Sequence, residues 1–205
     1  MNKIITISRE FGSGGRELGK RLSDILGFRY LDKEIVETVA KETNLSGEYI
    51  SRKLDGGTFA QSYSVAHSFS HISQTSNSAM LLATQHKLIK QLAQQGDCVI
   101  IGRGADAILS EFTPFKIFVY AYMPSKIDRC KKRETENEKL TDKQIERYIQ
   151  NIDKNRKSMH DLYAPYTWGD KRGYHLCINT SSIEIKELAP IIADYINAFY
   201  RGTQL

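Results

Sequence analysis

The feature that most constrains this chain is a glycine-rich turn between an apolar strand and an amphipathic helix. Lys3–Ile7 is a continuous, largely β-branched run that is typical of a buried strand, and Gly12-Ser13-Gly14-Gly15 follows a few residues later. The apolar side chains beyond it recur at helical spacing, at Leu18, Leu22, Ile25 and Leu26. In such a turn, backbone N–H groups converge on an anion and the helix N-terminus adds partial positive charge. The pattern predicts a phosphate-binding turn; a tight turn with no ligand is the alternative.

Two common phosphate-binding patterns do not fit this turn. GxGxxG would need its third glycine at Glu17, and GxxxxGK[ST] would need its first glycine at Arg9 and its lysine at Gly15. The prediction therefore depends on the order strand, turn and helix, and not on a consensus motif. The residues predicted to hold the phosphates are Gly12, Ser13, Gly14, Gly15, Arg16 and Glu17.

The remaining strands and helices alternate along the chain. Strands are predicted at Phe28–Leu31, Cys98–Ile101, Phe115–Ala121 and Tyr174–Asn179, and helices at about 32–39, 78–95, 125–136, 141–163 and 183–200. Helical crossovers of ten residues or more imply a parallel sheet, so we predict an α/β fold with a central five-stranded parallel sheet. Ligands of such sheets bind beyond the carboxyl ends of the strands.

Composition sets the class of protein. The chain has 205 residues, of which 40% are hydrophobic and 26% charged, which suits one α/β domain spanning 1–205. No apolar run approaches the roughly 20 residues of a membrane helix, and no signal peptide is visible. The three cysteines are odd in number and far apart, which argues against a disulfide framework. We therefore expect a cytoplasmic protein with no membrane partner; no feature of the sequence sets an oligomeric state.

Positive charge is concentrated in one segment. Residues 129–157 contain ten Lys or Arg and six Asp or Glu, which gives +4 of the net charge of +5. Such a segment favours phosphate-bearing ligands, either nucleotides or nucleic acid, and a solvated helix with mixed salt bridges is the alternative. Nucleic acid is the least favoured partner, because the basic residues alternate with acidic ones and no recognition motif accompanies them.

Residues that follow strands are candidates for the site. Arg103 comes directly after a buried strand, and its planar guanidinium suits a phosphate, although a structural ion pair would also explain it. Asp32 and Asp106 either bind Mg²⁺ through water or cap the helices that they precede. His67 and His71 have the spacing of metal ligands, but no third ligand accompanies them, so no dedicated metal site is predicted.

Several collinear stretches, spread over about residues 3–198, resemble bacterial cytidylate kinases. The similar stretches are the glycine turn with its helix and the strand ending in Leu31-Asp32; the block Cys98–Arg103, Phe115–Ala121 and Arg129–Arg133; Asp153-Lys154-Asn155-Arg156; and Asn179-Thr180-Ser181. The altered glycine turn is similar to that of the divergent group called cytidylate kinase-like proteins.

The resemblance implies a three-layer P-loop kinase-like fold with a helical acceptor-binding lobe at about 33–95 and a lid at about 134–165. It also implies an ATP- and Mg²⁺-dependent phosphotransferase that moves the γ-phosphoryl group of ATP to a nucleoside monophosphate or a similar small acceptor. The residues expected to act on the phosphates are Arg16, Arg103, Lys154 and Arg156, and those expected to bind the acceptor are Asp32, Arg103 and Asp106.

This chain departs from the family pattern at several positions. Gly15 stands where the P-loop lysine is usual, and Lys33, Thr38 and Gly104 replace other nucleotide-contacting residues, which weakens the case for cytidine. The basic residues that could replace the lysine are Arg9, Arg16 and Lys20, and the sequence favours Arg16 because it lies in the first helical turn. A nucleotide-binding protein without catalytic activity is the alternative function.

Overall fold

The chain folds around a five-stranded parallel sheet. The computed structural model describes residues 2–43, 46, 75–132, 140–162 and 164–202, with the backbone alone over 75–79. The strands are β1 (Ile4–Arg9), β2 (Arg29–Leu31), β3 (Cys98–Ile101), β4 (Phe115–Tyr120) and β5 (Leu176–Asn179). Their order across the sheet is β2-β3-β1-β4-β5, and every neighbouring pair is parallel. The predicted α/β class and five-stranded parallel sheet are confirmed.

Helices connect the strands. They are α1 (Gly15–Leu26), α2 (Lys33–Thr43), α3 (Thr75–Gln94), α4 (Ala105–Ile108), α5 (Met123–Lys131), α6 (Asp142–Asp161) and α7 (Ile185–Gly202), with short 3₁₀ turns at Ser110–Phe112 and Lys171–Gly173. Helix α5 begins two residues earlier than predicted, because Pro124 lies within its first turn, where a missing N–H costs nothing. Strand β5 begins two residues later than predicted, at Leu176, because Tyr174 and His175 still belong to the connection that follows the second 3₁₀ turn.

Alternate residues of the strands face two separate cores, which makes the three layers. On one face, Ile5 and Ile7 pack with α1 and α7; on the other, Ile4 and Ile100 pack with α2 and α3. A strand that is covered on both faces must be apolar at every position, which explains the continuous runs seen in the sequence. A third, smaller cluster joins α5 to α6 through Cys130, Ile145 and Ile149.

Several sequence predictions fall on residues that the structure does not describe. Residues 44–45 and 47–74 of the predicted acceptor lobe, with His67 and His71, lie outside the described residues, as does the predicted continuation of α5 beyond Lys132. Cys98, Cys130 and Cys177 are free thiols, which agrees with the absence of a disulfide framework. Among the described helices, none is long and apolar enough to cross a membrane.

Candidate active site

The glycine turn leads into α1 with its backbone amides available to an anion. Gly12 and Gly14 have φ of 74° and 83°, a left-handed conformation that glycine adopts without strain. Gly14 is the N-cap, and no described side chain caps the helix there. The first-turn amides of Gly15, Arg16 and Glu17 have no acceptor within the helix, so an anion in front of the turn would satisfy them.

Hydrogen bonds from Arg129 and Thr180 to two carbonyl oxygens hold the backbone of the turn in place. The carbonyl oxygen of Gly12 accepts a hydrogen bond from Arg129 Nη1 (3.3 Å), and that of Ser13 accepts one from Thr180 Oγ1 (2.6 Å). Arg129 also donates to Thr180, so the loop after β5 and helix α5 hold the turn together. Thr180, within the stretch Asn179-Thr180-Ser181, thus supports the turn, a role that the sequence did not indicate.

Three arginines line one cleft at the carboxyl edge of the sheet, beside this turn. Arg9 ends β1 and is 5% exposed, Arg103 follows β3 and is 7% exposed, and Arg156 comes from α6. The free volume between them is about 20 Å³, room for about one water molecule, and the other lining residues are Ser8, Gln85, Gly102, Gly104, Met159, His160 and Trp168. Arginine keeps its charge at any physiological pH, so three guanidinium groups in one cleft favour an anionic ligand with several oxygens.

The backbone at Arg103 is strained. Gly102, Arg103 and Gly104 have φ of 66°, 63° and 64°, and Arg103 carries a side chain in a region that favours glycine. Such a conformation costs of order 1–3 kcal/mol and persists where the surrounding structure enforces it. The strain places the Arg103 side chain in the cleft, as its position after a buried strand predicted.

Arg16 and Asp32 contact each other. Arg16 Nε lies 2.6 Å from Asp32 Oδ2, with the Arg16 side chain 54% exposed and Asp32 buried. The hydroxyl of Tyr30 also donates to Asp32 (3.4 Å). Burial and the charge of Asp32 raise the pKa of Tyr30 to about 12. The structure thus brings these two predicted site residues together at the end of β2, where Arg16 leans towards Asp32.

Asp106 is buried behind the cleft instead of opening into it. It is 1% exposed, and its Oδ2 lies 2.9 Å from both His160 Nε2 and the Tyr166 hydroxyl. Burial alone would raise the pKa of Asp106, but its hydrogen bonds to His160 and Tyr166 and the charge of His160 together outweigh burial and lower the pKa. Burial likewise opposes the charge on His160, and Asp106 and Asp161 outweigh that effect and raise the pKa of His160. Asp106 therefore positions His160, which lines the cleft.

The basic residues of α6 divide between two faces. Arg156 enters the cleft and donates from Nη1 to the carbonyl oxygen of Arg9 (3.1 Å). Lys154 is exposed, and Lys157 pairs with Asp161 on the helix surface (2.6 Å). Within the described part of the predicted lid, at about 134–165, Arg156 is the arginine that lines the cleft with Arg9 and Arg103.

A buried ion cluster beside the turn was not predicted from the sequence. Lys126 Nζ lies 3.0 Å from Glu10 Oε2 and 3.1 Å from Asp153 Oδ2, and Lys126 is almost fully buried. Burial raises the pKa of Asp153, while the charge of Lys126 and the amide of Phe11 oppose the shift. Glu10 and Lys126 are 116 residues apart, and no spacing pattern in the sequence connects them.

Carboxylates at the edge of the sheet already have cationic or polar partners. Glu10 and Asp153 hold Lys126, Asp32 holds Arg16, and Asp106 contacts His160. Within the described ranges, no three of His, Cys, Asp and Glu form a group that could hold a metal ion. A Mg²⁺ ion that arrived with a nucleotide would therefore depend mainly on phosphate oxygens and water for its ligands, as this ion commonly does.

The sheet order, the glycine turn and the arginine cleft define an α/β protein with the P-loop kinase-like architecture. The family model described as "Cytidylate kinase-like family" matches residues 4–182, and the chain belongs to this family. The resemblance found in the sequence is therefore confirmed. No relative was found among the curated proteins.

Solved structures show the same fold over nearly the whole chain. An uncharacterized protein from Eubacterium ventriosum is 25% identical, with a TM-score of 0.69, covering 95% of this chain and 98% of that one. Shikimate kinase from Acinetobacter baumannii is 16% identical, with a TM-score of 0.53 and coverage of 97% and 94%. A gluconokinase from Sinorhizobium meliloti is 11% identical, with a TM-score of 0.56 and coverage of 99% and 95%. The last two likenesses concern the fold alone.

Proposed function

We propose that this protein is an ATP-dependent phosphotransferase that moves the γ-phosphoryl group to the phosphate of a small acceptor, with nucleoside monophosphates as the favoured class. The observation that carries the proposal is the cleft in which Arg9, Arg103 and Arg156 meet beside the N-terminus of α1, which no described side chain caps. The amides of the turn would hold the donor phosphates, and Arg103 and Arg156 would hold the acceptor phosphate and the transferring group. The three free cysteines support the reducing, cytoplasmic location expected from the sequence.

The chemistry fits these groups. Phosphoryl transfer needs alignment of donor and acceptor and positive charge around the moving group, and the protein itself forms no covalent bond. Bound Mg²⁺ would neutralise charge on the phosphate oxygens. A phosphate acceptor is already ionised at neutral pH and needs no general base, whereas a hydroxyl acceptor does. The carboxylates at this edge of the sheet are engaged with Lys126, Arg16 and His160, which favours the phosphate acceptor.

A second candidate is a nucleotide-binding protein without catalytic activity. The observation that favours it is Gly15, which stands where a lysine would contact the donor phosphates. The two functions predict the same ligand and differ in turnover.

The test is a measurement of ADP formation from Mg·ATP with a panel of acceptors. The panel holds the nucleoside monophosphates, together with shikimate and gluconate because the fold neighbours are named for them. We expect ADP formation to rise with one or more monophosphates and to be lost in Arg103→Ala. Calorimetric binding of ATP with no acceptor-dependent ADP would instead establish the non-catalytic function, and turnover with a hydroxyl acceptor alone would overturn the choice of acceptor.

A further inference from the structure

We propose that Arg9 supplies the positive charge that other phosphate-binding turns take from a lysine at the position of Gly15. The donor's β- and γ-phosphates would then be held by an arginine from strand β1 instead of a lysine from helix α1. The inference rests on the proposed function, because it assigns a residue to the donor site of that reaction.

Gly15 is a glycine because Arg9 leaves no room for a side chain. Gly15 opens helix α1, and its φ is not among the positive values found in the turn, so its backbone accepts any residue. A Cβ placed on Gly15 would lie 2.6 Å from the Cβ of Arg9 and 3.1 Å from its Cγ. Non-bonded carbon atoms do not approach so closely, and Val119 Cβ lies 3.3 Å from the added Cβ as well, so a side chain at position 15 requires Arg9 or the backbone to shift.

This steric conflict between positions 9 and 15 explains why the first glycine and the lysine of GxxxxGK[ST] are both replaced in this chain. GxxxxGK[ST], aligned on Gly14, places a glycine at position 9 and a lysine at position 15. This chain has the reverse, Arg9 and Gly15. The side chain of Arg9 begins beside the position where a lysine side chain at residue 15 would begin. Replacing a lysine at position 15 by Arg9 would therefore move the start of the cationic side chain to an adjacent strand residue and keep the positive charge in the site.

A second glycine makes room for the Arg9 guanidinium. Gly102, at the end of β3, has a φ of 66°, and a Cβ on it would collide with Arg9 Nη1. Arg9 therefore runs from Gly15 across the edge of the sheet into the cleft lined by Arg103 and Arg156. In this position its planar fork can bind two phosphate oxygens together, which a lysine cannot do.

The other two basic candidates are directed elsewhere. Arg16 is paired with Asp32 and half exposed, and Lys20 pairs with Asp24 on the surface of α1 at 2.5 Å. Arg9 is the one of the three that lines the cleft.

The experiment restores the common arrangement of charges. Arg9→Gly removes both the cation and the stem, and Arg9→Gly/Gly15→Lys then places a lysine where the motif has one. Affinity for the non-hydrolysable Mg·AMPPNP is measured by calorimetry, with Lys20→Ala as the matched control. We expect Arg9→Gly to bind about tenfold more weakly or worse, as is usual when a charged hydrogen-bonding group is lost. The double variant should recover most of that affinity, and Lys20→Ala should bind like the wild type.

A folding measurement tests the steric conflict independently of any ligand. Gly15→Ala should lower the thermal midpoint in the wild-type background and raise or preserve it in the Arg9→Gly background, where alanine is the better helix former. Equal losses in both backgrounds would overturn the steric argument. Undiminished AMPPNP binding by Arg9→Gly, or a folded double variant without recovery, would overturn the role of Arg9. Failure of the wild type to bind AMPPNP would refute the proposed function itself.

Discussion

Asp153 Oδ1, on helix α6, accepts a hydrogen bond from the backbone N–H of Phe11 at 2.7 Å, and this bond ties α6 to the glycine turn. The other oxygen of the carboxylate pairs with Lys126, which also contacts Glu10. Nearby, the rings of Phe11 and Tyr148 meet edge to face at 5.3 Å. Movement of α6 away from the turn would therefore break a buried ion pair as well as a hydrogen bond.

The first prediction concerns this buried ion pair. Asp153→Ala leaves Lys126 with Glu10 alone and removes the acceptor of the Phe11 amide, so we expect a loss of about 3 kcal/mol in unfolding free energy. Asp153→Asn keeps an acceptor oxygen and should lose less. Urea unfolding at neutral pH measures the loss in unfolding free energy for both Asp153 variants. The control is Asp24→Asn, which breaks the exposed pair with Lys20 and should lose about 0.5 kcal/mol or less. Equal, small losses in the two Asp153 variants would show that the cluster contributes little stability.

The second prediction separates strain from function at Arg103. Because its φ is 63°, Arg103→Gly should be about 1 kcal/mol more stable than Arg103→Ala. Both variants should bind phosphorylated ligands more weakly by about 1.5–3 kcal/mol, because both lose the guanidinium. Thermal unfolding and calorimetry with Mg·AMPPNP and nucleoside monophosphates provide the two readouts. Unchanged affinity for every nucleotide that the wild type binds would remove Arg103 from the site.

Local patterns were enough to predict the five-stranded parallel sheet and the alternation of strands and helices along the chain, although not the order of the strands across the sheet. The strand at Cys98–Ile101 was predicted with its observed boundaries, because a strand covered on both faces is apolar at every position and is closed by turn residues. Helix α1 likewise ends at Gly27 in a left-handed conformation, which is the common way for a glycine to end a helix. These features depend on residues that are neighbours in the sequence.

The site was less predictable, because its contacts join distant parts of the chain. The sequence favoured Arg16 over Arg9 as the residue that replaces the lysine, because Arg16 lies in the first turn of the helix. The space that Gly15 and Gly102 leave for the Arg9 side chain is visible only in the structure. The pairing of Asp106 with His160 spans 54 residues, and that of Glu10 with Lys126 spans 116. Burial of a charged residue depends on such partners, which periodicity does not identify.

The third prediction concerns the lid proposed from the family resemblance. Helix α6 should exchange its amide hydrogens more slowly when both a donor analogue and an acceptor are bound, because Arg156 and its neighbours would then close on the phosphates. Hydrogen-exchange mass spectrometry with and without a bisubstrate mimic measures this, and α7, on the opposite face of the sheet from α2 and α3, is the internal reference. Exchange in α6 that is equally slow without ligand would show that it is a rigid structural helix.

The last prediction is a dependence of stability on pH that originates at His160. Asp106 and Asp161 raise the pKa of His160 above its ordinary value of 6.5, despite burial, so the folded protein favours the imidazolium. Its contribution is fully present below pH 6.5 and is lost as the pH rises through the raised folded-state pKa. Asp106 has a lowered pKa and stays ionised throughout this range, so it adds no slope.

The comparison of wild type with His160→Gln isolates this effect, because glutamine does not titrate and the other histidines are common to both proteins. The wild type should exceed the variant in unfolding free energy by more at about pH 6 than at about pH 9, as measured by urea unfolding across the range. The loss at the lower pH should be about 1–3 kcal/mol, since Asp106 then lacks its charged donor. A difference that stays constant across this range would mean that folding leaves the pKa of His160 unchanged, and that Asp106 orients the ring without stabilising its charge.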